Sequence, residues 1–179
     1  MNHLTIIDHL SANAEAFQVL YKNVTDQQVR WKPGPSRWSL LEVINHLVDE
    51  EIEDFRQRLR LVLDDPESPW PPIDPEGWVN QRRYNERDPA ASLRNFLKER
   101  HDSLRWLYGL NPPDWQVAYN HPQMGPLSAE TILANWLAHD LFHIRQVTDL
   151  HFAYLTRQVA SVSLAYSGWD LSASVADDS

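Results

Sequence analysis

The chain has 179 residues, of which 42% are apolar and eight are tryptophan, enough to bury a core in one domain without covalent staples. It has no cysteine, which excludes disulfides, thiolate metal sites and cysteine nucleophiles. The net charge of -9, from 25 acidic and 16 basic residues, lacks the basic footprint a nucleic-acid binder needs to neutralise phosphate.

The first periodic segment runs from about His3 to Lys22. Leu4, Ile7, Leu10, Ala14, Phe17 and Tyr21 recur at steps of three and four, which predicts one apolar stripe on a helix. Thr25 followed by Gln28 is a capping-box pattern for a short helical turn, and Pro33 and Pro35 then break the chain. A second long helix opens at Ser39, with Glu42 completing a capping box. Ile44, Val48, Ile52, Phe55 and Leu59 form its apolar face, and it ends before Asp64. Asp88 and Pro89 open a third helix, with Leu93, Phe96, Leu97, Leu104 and Leu107 inward and Gly109 and Pro112 at its end. A fourth opens at Ser128 and runs to about Leu150, with Ile132, Leu133, Trp136, Leu137, Leu141, Ile144 and Val147 as its core side. Residues from His151 on have room for one further short helix.

Two proline-rich connections, residues 64–88 and 109–127, are too long for tight turns. Their tryptophans, Trp70, Trp78 and Trp115, favour ordered lids packed on one end of the bundle. The expectation is an all-α chain: a four-helix bundle over residues 1–160, with long ordered loops between helices two and three and between three and four, then a C-terminal tail over 161–179 whose last residues, 172–179, look frayed. The start of the chain has no basic stretch leading into a long apolar run, and no segment approaches the roughly 18–20 apolar residues of a membrane span. With no cysteine, this fits a cytoplasmic protein. Arg82-Arg83, and Arg56, Arg58 and Arg60, read as solvated surface.

The chemistry-bearing residues are histidines. His139 and His143 lie four apart, which puts both imidazoles on one helix face, roughly 6 Å apart along the axis. Both could then reach one ion at about 2.0–2.1 Å. They flank the apolar stripe beside Ile132, Trp136 and Val147, so both should look into the bundle. His46 is the best third ligand, although on a helical wheel it sits off the densest apolar stripe, nearer Val43 and Glu50, which fits plain exposure equally well. His3, His9, His101 and His121 read as surface or packing residues. Three neutral histidines leave a coordination position open, as in a catalytic site; zinc, nickel, iron or manganese would suit it.

Two stretches carry a family resemblance. The first runs from Val29 through Trp31, Pro33, Pro35, Trp38, Ser39 and Glu42 to His46 and Leu47. The second is His121-Pro122 with Gly125, followed by the helix bearing His139, His143 and Gln146. Over about residues 4–157 the chain resembles the DinB-like superfamily, which includes YfiT-like metal-dependent hydrolases and bacillithiol transferases. Many relatives carry a further histidine where this chain has Phe142. The resemblance implies a four-helix bundle, metal ligands at His46, His139 and His143, a metal that is often nickel or zinc, and frequent dimers. Members include thiol S-transferases, so a low-molecular-weight thiol is a possible co-substrate.

The function expected is that of a metal-dependent hydrolase or thiol S-transferase acting on a small molecule. The alternatives are a non-catalytic metal or small-ligand binding protein in a stress response, and a structural dimerisation module. Glu50, one turn beyond His46, is a candidate general base or a hydrogen-bond partner behind a ligand; as one of the run Asp49, Glu50, Glu51 and Glu53 it reads equally well as an exposed carboxylate. Gln146 is a candidate partner of a ligand histidine, and Trp136, Trp70 and Trp78 are candidate pocket walls, with core packing the simpler reading for Trp136. A homodimer is expected, and no nucleic-acid or membrane partner.

Overall fold

The structure, a computed structural model, describes residues 2–169. It opens with helix α1 (His3–Leu20), capped by Asn2, whose side chain accepts from the Thr5 amide. A short α2 (Asp26–Arg30) follows, capped by Thr25. α3 (Leu40–Asp49) starts at Ser39 in a complete capping box with Glu42. It continues without a break through a π-helical segment (Glu50–Phe55) into α4 (Arg56–Asp64). α6 (Pro89–Gly109) begins under the Asp88 cap and α7 (Ala129–Gln158) under the Ser128 cap. α1 packs on α6 and α7, and the α3–α4 helix packs on the same two from the other side, which closes a four-helix bundle.

The two long connections carry elements of their own. Residues 64–88 contain α5 (Pro75–Gln81) and a 3₁₀ turn (Tyr84–Glu86). Residues 109–127 lead into a hairpin of β1 (Ala118–His121) and β2 (Gly125–Ser128), antiparallel, with Tyr119 opposite Leu127. Gly125 sits at φ 75°, a conformation that side-chain-bearing residues rarely adopt. The connections share one end of the bundle only in part. Trp70, Trp115, Val117 and Tyr119 pack on one core cluster, whereas Trp78, Val79 and Tyr84 form a separate cluster against Trp38 and Ile73. α7 runs past Leu150 to Gln158, so the chain after His151 extends it rather than starting a new helix. Of the expected tail, residues 161–169 hold a 3₁₀ turn (Ala165–Ser167); residues 170–179, including the stretch expected to fray, lie outside the described residues.

Three expected core positions are exposed: Leu4, Ile52 and Leu141. Leu4 and Leu141 lie at the edges of their stripes. Ile52 has a different cause. The wider π turn changes the phase of the helix, and Glu51, not Ile52, faces the interior.

The core has two apolar halves. Phe17, Val48, Phe96 and Val147 belong to one; Leu10, Leu59, Leu107 and Trp136 belong to the other. Between them, each long helix contributes polar groups: Asn13 and the Leu10 carbonyl from α1, Glu51 from the π segment, Arg100 and Ser103 from α6, and Asp140 from α7. Arg100 is fully buried and donates to both oxygens of Asp140 at 2.7 Å and to Glu51 at 2.8 Å. Burial works against its charge, but Glu51 and Asp140 more than offset this and hold it ionised. Ser103 Oγ and Trp136 Nε1 donate to the two oxygens of Glu51. A buried charge needs such partners, because isolated it costs several kcal/mol, on the order of one-third or more of a typical domain's stability.

Candidate metal centre

His46, His139 and His143 meet at the level of this polar layer. Ser39 and Glu42 fix the start of α3, and Lys32 pairs with Glu42 at 2.9 Å. Two turns further along α3, His46 points at α7. His139 Nε2 lies 3.4 Å from His46 Nε2 and 3.1 Å from His143 Nε2. Two imidazoles bound to one ion at about 2.1 Å have nitrogens about 3.0 Å apart at a right angle and about 3.4 Å apart at the tetrahedral angle. Both spacings around His139 therefore fit a divalent transition-metal ion. Among the described residues this is the one group of three such side chains whose ligand atoms converge, all within 4.8 Å.

The protonation states fit as well. Burial first, then the neighbouring His143 and His139, hold His46 well below the ordinary imidazole range. Burial, with His143 and Arg100, does the same to His139. Burial pushes His143 down to about 4, against a smaller opposing effect of Gln146. All three rings are neutral at pH 7 and keep a lone pair for a metal. Gln146 Oε1 lies 2.8 Å from His143 Nδ1 and fixes the tautomer that leaves Nε2 free.

His46 and His143 are buried and His139 is half-buried, so the group is open on one side. It opens into a cavity of about 510 Å³ lined also by Ser36, Arg37, Trp38, Pro75, Glu76, Phe142 and Gln146. Trp38 lies with its ring parallel to that of His143, centroids 6.5 Å apart, and 4.9 Å from the ring of His46. Phe55 meets the ring of His139 at 5.1 Å.

The three tryptophans expected as pocket walls are not among the lining residues. Trp136 is in the core, stacked on Phe55 and bonded to Glu51. Trp70 stacks on Tyr119 under the hairpin, and Trp78 lies beneath the Arg82 guanidinium. The wall tryptophan is Trp38, and its position directly before the cap of the helix bearing His46 is the signal that could have found it. Glu50 is buried, not an exposed carboxylate, and its Oε1 lies 3.8 Å from His46 Nδ1, on the side of the ring away from the converging nitrogens. Burial, then the adjacent Asp54, raises its pKa well above the ordinary carboxylate range. The remaining expected bystanders stand apart: His3 stacks on Trp115 and contacts Glu130, His121 Nδ1 caps the hairpin turn, and His9 and His101 are exposed.

Comparison with known proteins agrees with this architecture. A protein of Oceanobacillus iheyensis named "Putative metal-dependent hydrolase" is 28% identical over 114 residues, covering 63% of this chain and 64% of that protein. A protein of Bacillus mycoides with the same descriptive name is 24% identical over 114 residues, with the same coverage. This chain thus spans 64% of the length of these curated relatives. The structure of YfiT from Bacillus subtilis, described as a probable metal-dependent hydrolase with an unusual four-helix bundle topology, matches with a TM-score of 0.74 at 20% identity, over 88% of this chain and 87% of YfiT, a likeness of fold. No helix among the described residues is long and apolar enough to cross a membrane. The family model of the DinB superfamily matches residues 9–147, a span that contains all three converging histidines, and the chain belongs to that superfamily.

Proposed function

We propose that this chain is a metal-dependent enzyme acting on a small molecule, with His46, His139 and His143 as the ligands of one divalent transition-metal ion, nickel or zinc in the first instance. The observation that carries the reading is the convergence of three Nε2 atoms, 3.1 and 3.4 Å apart in sequence around His139, at a cavity of about 510 Å³. A bound ion supplies Lewis acidity there, lowering the pKa of a water or thiol at its open position. Trp38 and Phe142 offer apolar surface to the body of a substrate, and Arg37, Glu76 and Gln146 offer polar contacts.

Between the two reactions, the lining favours thiol S-transfer. Among the described residues Glu76 is the one carboxylate in the cavity wall, and Glu50 lies on the far side of His46. The ion would lower the pKa of either nucleophile, but a thiol, at an ordinary pKa of about 8.5, starts far closer to its ionised form than water and asks less of a neighbouring base. The chain has no cysteine, so the thiol enters as a co-substrate. The same scarcity of carboxylates favours the alternative of a non-catalytic metal or small-ligand binding protein.

The test is elemental analysis followed by an activity screen. Each of His46→Ala, His139→Ala and His143→Ala should lower metal content sharply while far-UV circular dichroism stays helical. His101→Ala and His121→Ala should leave it unchanged. Protein that neither retains nor takes up zinc or nickel refutes the site. Metal-loaded protein that turns over no pairing of low-molecular-weight thiol and electrophile refutes the transferase reading and leaves hydrolysis and the binding protein.

A further inference from the structure

His46, Glu50, Asp54 and Arg58 follow one another at intervals of four along α3, the π segment and α4. Their side chains form a continuous strip. His46 Nδ1 faces Glu50 Oε1 at 3.8 Å. Glu50 and Asp54 are both buried one turn apart, near enough for Asp54 to raise the pKa of Glu50. Arg58 Nε lies 2.8 Å from Asp54 Oδ1, with its N–H poorly aligned for a hydrogen bond, and its guanidinium stacks 4.7 Å over Trp70. Among the described residues, the buried side-chain atoms left without a hydrogen-bond partner are His46 Nδ1, Glu50 Oε1, Arg58 Nε and Trp70 Nε1. Three of the four belong to this strip, and the fourth is on the tryptophan beneath Arg58.

The inner two are complementary. If His46 gives its Nε2 lone pair to a metal, its Nδ1 carries the hydrogen and is a donor, and Glu50 Oε1 opposite is an acceptor. A buried donor and acceptor left apart are each destabilising, so closing the 3.8 Å gap is favourable once the tautomer is set. Glu50 can serve only if its carboxyl is held in place, and the residues that hold it are Asp54 and, behind it, Arg58.

We propose that Glu50, Asp54 and Arg58 are a positioning relay for the metal ligand His46, in which Asp54 and Arg58 fix the Glu50 carboxyl against His46 Nδ1 and so aim its Nε2 at the metal. The relay rests on the reading that His46 is a ligand. On the other side of the site Gln146 does for His143 in one step what this strip does for His46 in three. Ligand-orienting partners of this kind change metal affinity by about 10–100-fold when removed.

The experiment measures zinc affinity by chelator competition, and the ring N–H signals of the histidines by nitrogen-edited NMR of the zinc-loaded protein. Glu50→Ala and Asp54→Ala should weaken zinc about tenfold or more, and the slowly exchanging Nδ1–H of His46 should be lost. Glu50→Gln should keep both properties, because its amide offers an oxygen to His46 and an N–H to Asp54. Arg58→Gln, at the outer end, should weaken zinc by a smaller factor and speed exchange of the same proton. If Glu50→Ala fails to fold, Asp54→Asn replaces it, expected to weaken zinc several-fold with the melting temperature of the metal-free protein nearly unchanged. Wild-type protein that binds zinc, with Glu50→Ala and Asp54→Ala (or Asp54→Asn) binding equally well, overturns the relay alone. Glu50→Gln that loses zinc as fully as Glu50→Ala overturns it too. Wild-type protein that binds neither zinc nor nickel overturns the metal site, and the relay with it.

Discussion

Replacing Arg100 with methionine removes the one positive charge of the mid-bundle polar layer while keeping most of the side chain's volume. In the wild type, Arg100 donates to Asp140 twice at 2.7 Å, to Glu51 at 2.8 Å and to the Leu10 carbonyl at 2.9 Å. Without it, Asp140 keeps the Asn13 amide at 3.2 Å, and Glu51 keeps Ser103 at 2.7 Å and Trp136 at 2.8 Å. Two carboxylates, each almost wholly buried, are then left without a counter-charge. Breaking a buried ion pair by removing one partner costs about 3–5 kcal/mol, and for a chain of this size that lowers the melting temperature by roughly 6–20 °C. Asp140 loses more of its partners than Glu51 does, so adding Asp140→Asn to Arg100→Met should recover more stability than adding Glu51→Gln. Urea unfolding followed by far-UV circular dichroism reads both quantities. A cost for Arg100→Met below about 1 kcal/mol, or no recovery on adding Asp140→Asn, would refute the view that this layer is an interdependent charge network.

The metal-free protein should lose stability on acidification. The folded-state pKa of His143, about 4, lies below the ordinary value of 6.5, so its contribution is complete above pH 6.5 and is lost as pH falls toward 4, about 3 kcal/mol in all; urea midpoints at pH 7.5 and 5 in the presence of chelator should fall less in His143→Gln, and an equal fall in both proteins contradicts the assignment. Gln146→Leu removes the acceptor from His143 Nδ1 and should weaken zinc about tenfold or more, an idea that fails if chelator competition finds the affinity unchanged. Ser39→Ala opens the capping box of α3 and should cost about 1 kcal/mol in urea unfolding, with no loss meaning that Glu42 alone secures the helix start. As part of the proposed function we expect a homodimer, and light scattering that returns 20.9 kDa at every concentration rules it out.

The helix starts were legible because caps are local chemistry. Ser39 with Glu42, Asp88 before Pro89, and Ser128 each cap the helix expected of them. The His139–His143 pair was legible for the same reason, since a spacing of four fixes a shared face. What the sequence hid depends on partners distant in the chain. The acidic run of Asp49, Glu50, Glu51 and Glu53 reads equally well as exposed because the counter-charges of its buried members, Arg82 for Asp49 and Arg100 for Glu51, come from elsewhere in the chain. Arg100 could have been suspected, since it continues the inward stripe between Phe96 and Leu107, and Asp140 occupies the matching level of α7. Trp38 lies outside every periodic segment, so no stripe pointed to it. The hairpin was missed because its four-residue strands carry too little alternation to register against the proline-rich surroundings.

The π-helical segment also has a consequence for reading relatives of this chain against it. A π turn takes about one more residue than an α turn, so the stretch Glu50–Phe55 behaves as a single-residue insertion inside an otherwise unbroken helix. Aligning this chain with a relative whose second helix is straight therefore requires a one-residue gap between Asp49 and Arg56. Without that gap, the residues on one side of the segment are compared with positions one step out of register. A shared arrangement of charges then looks like a substitution.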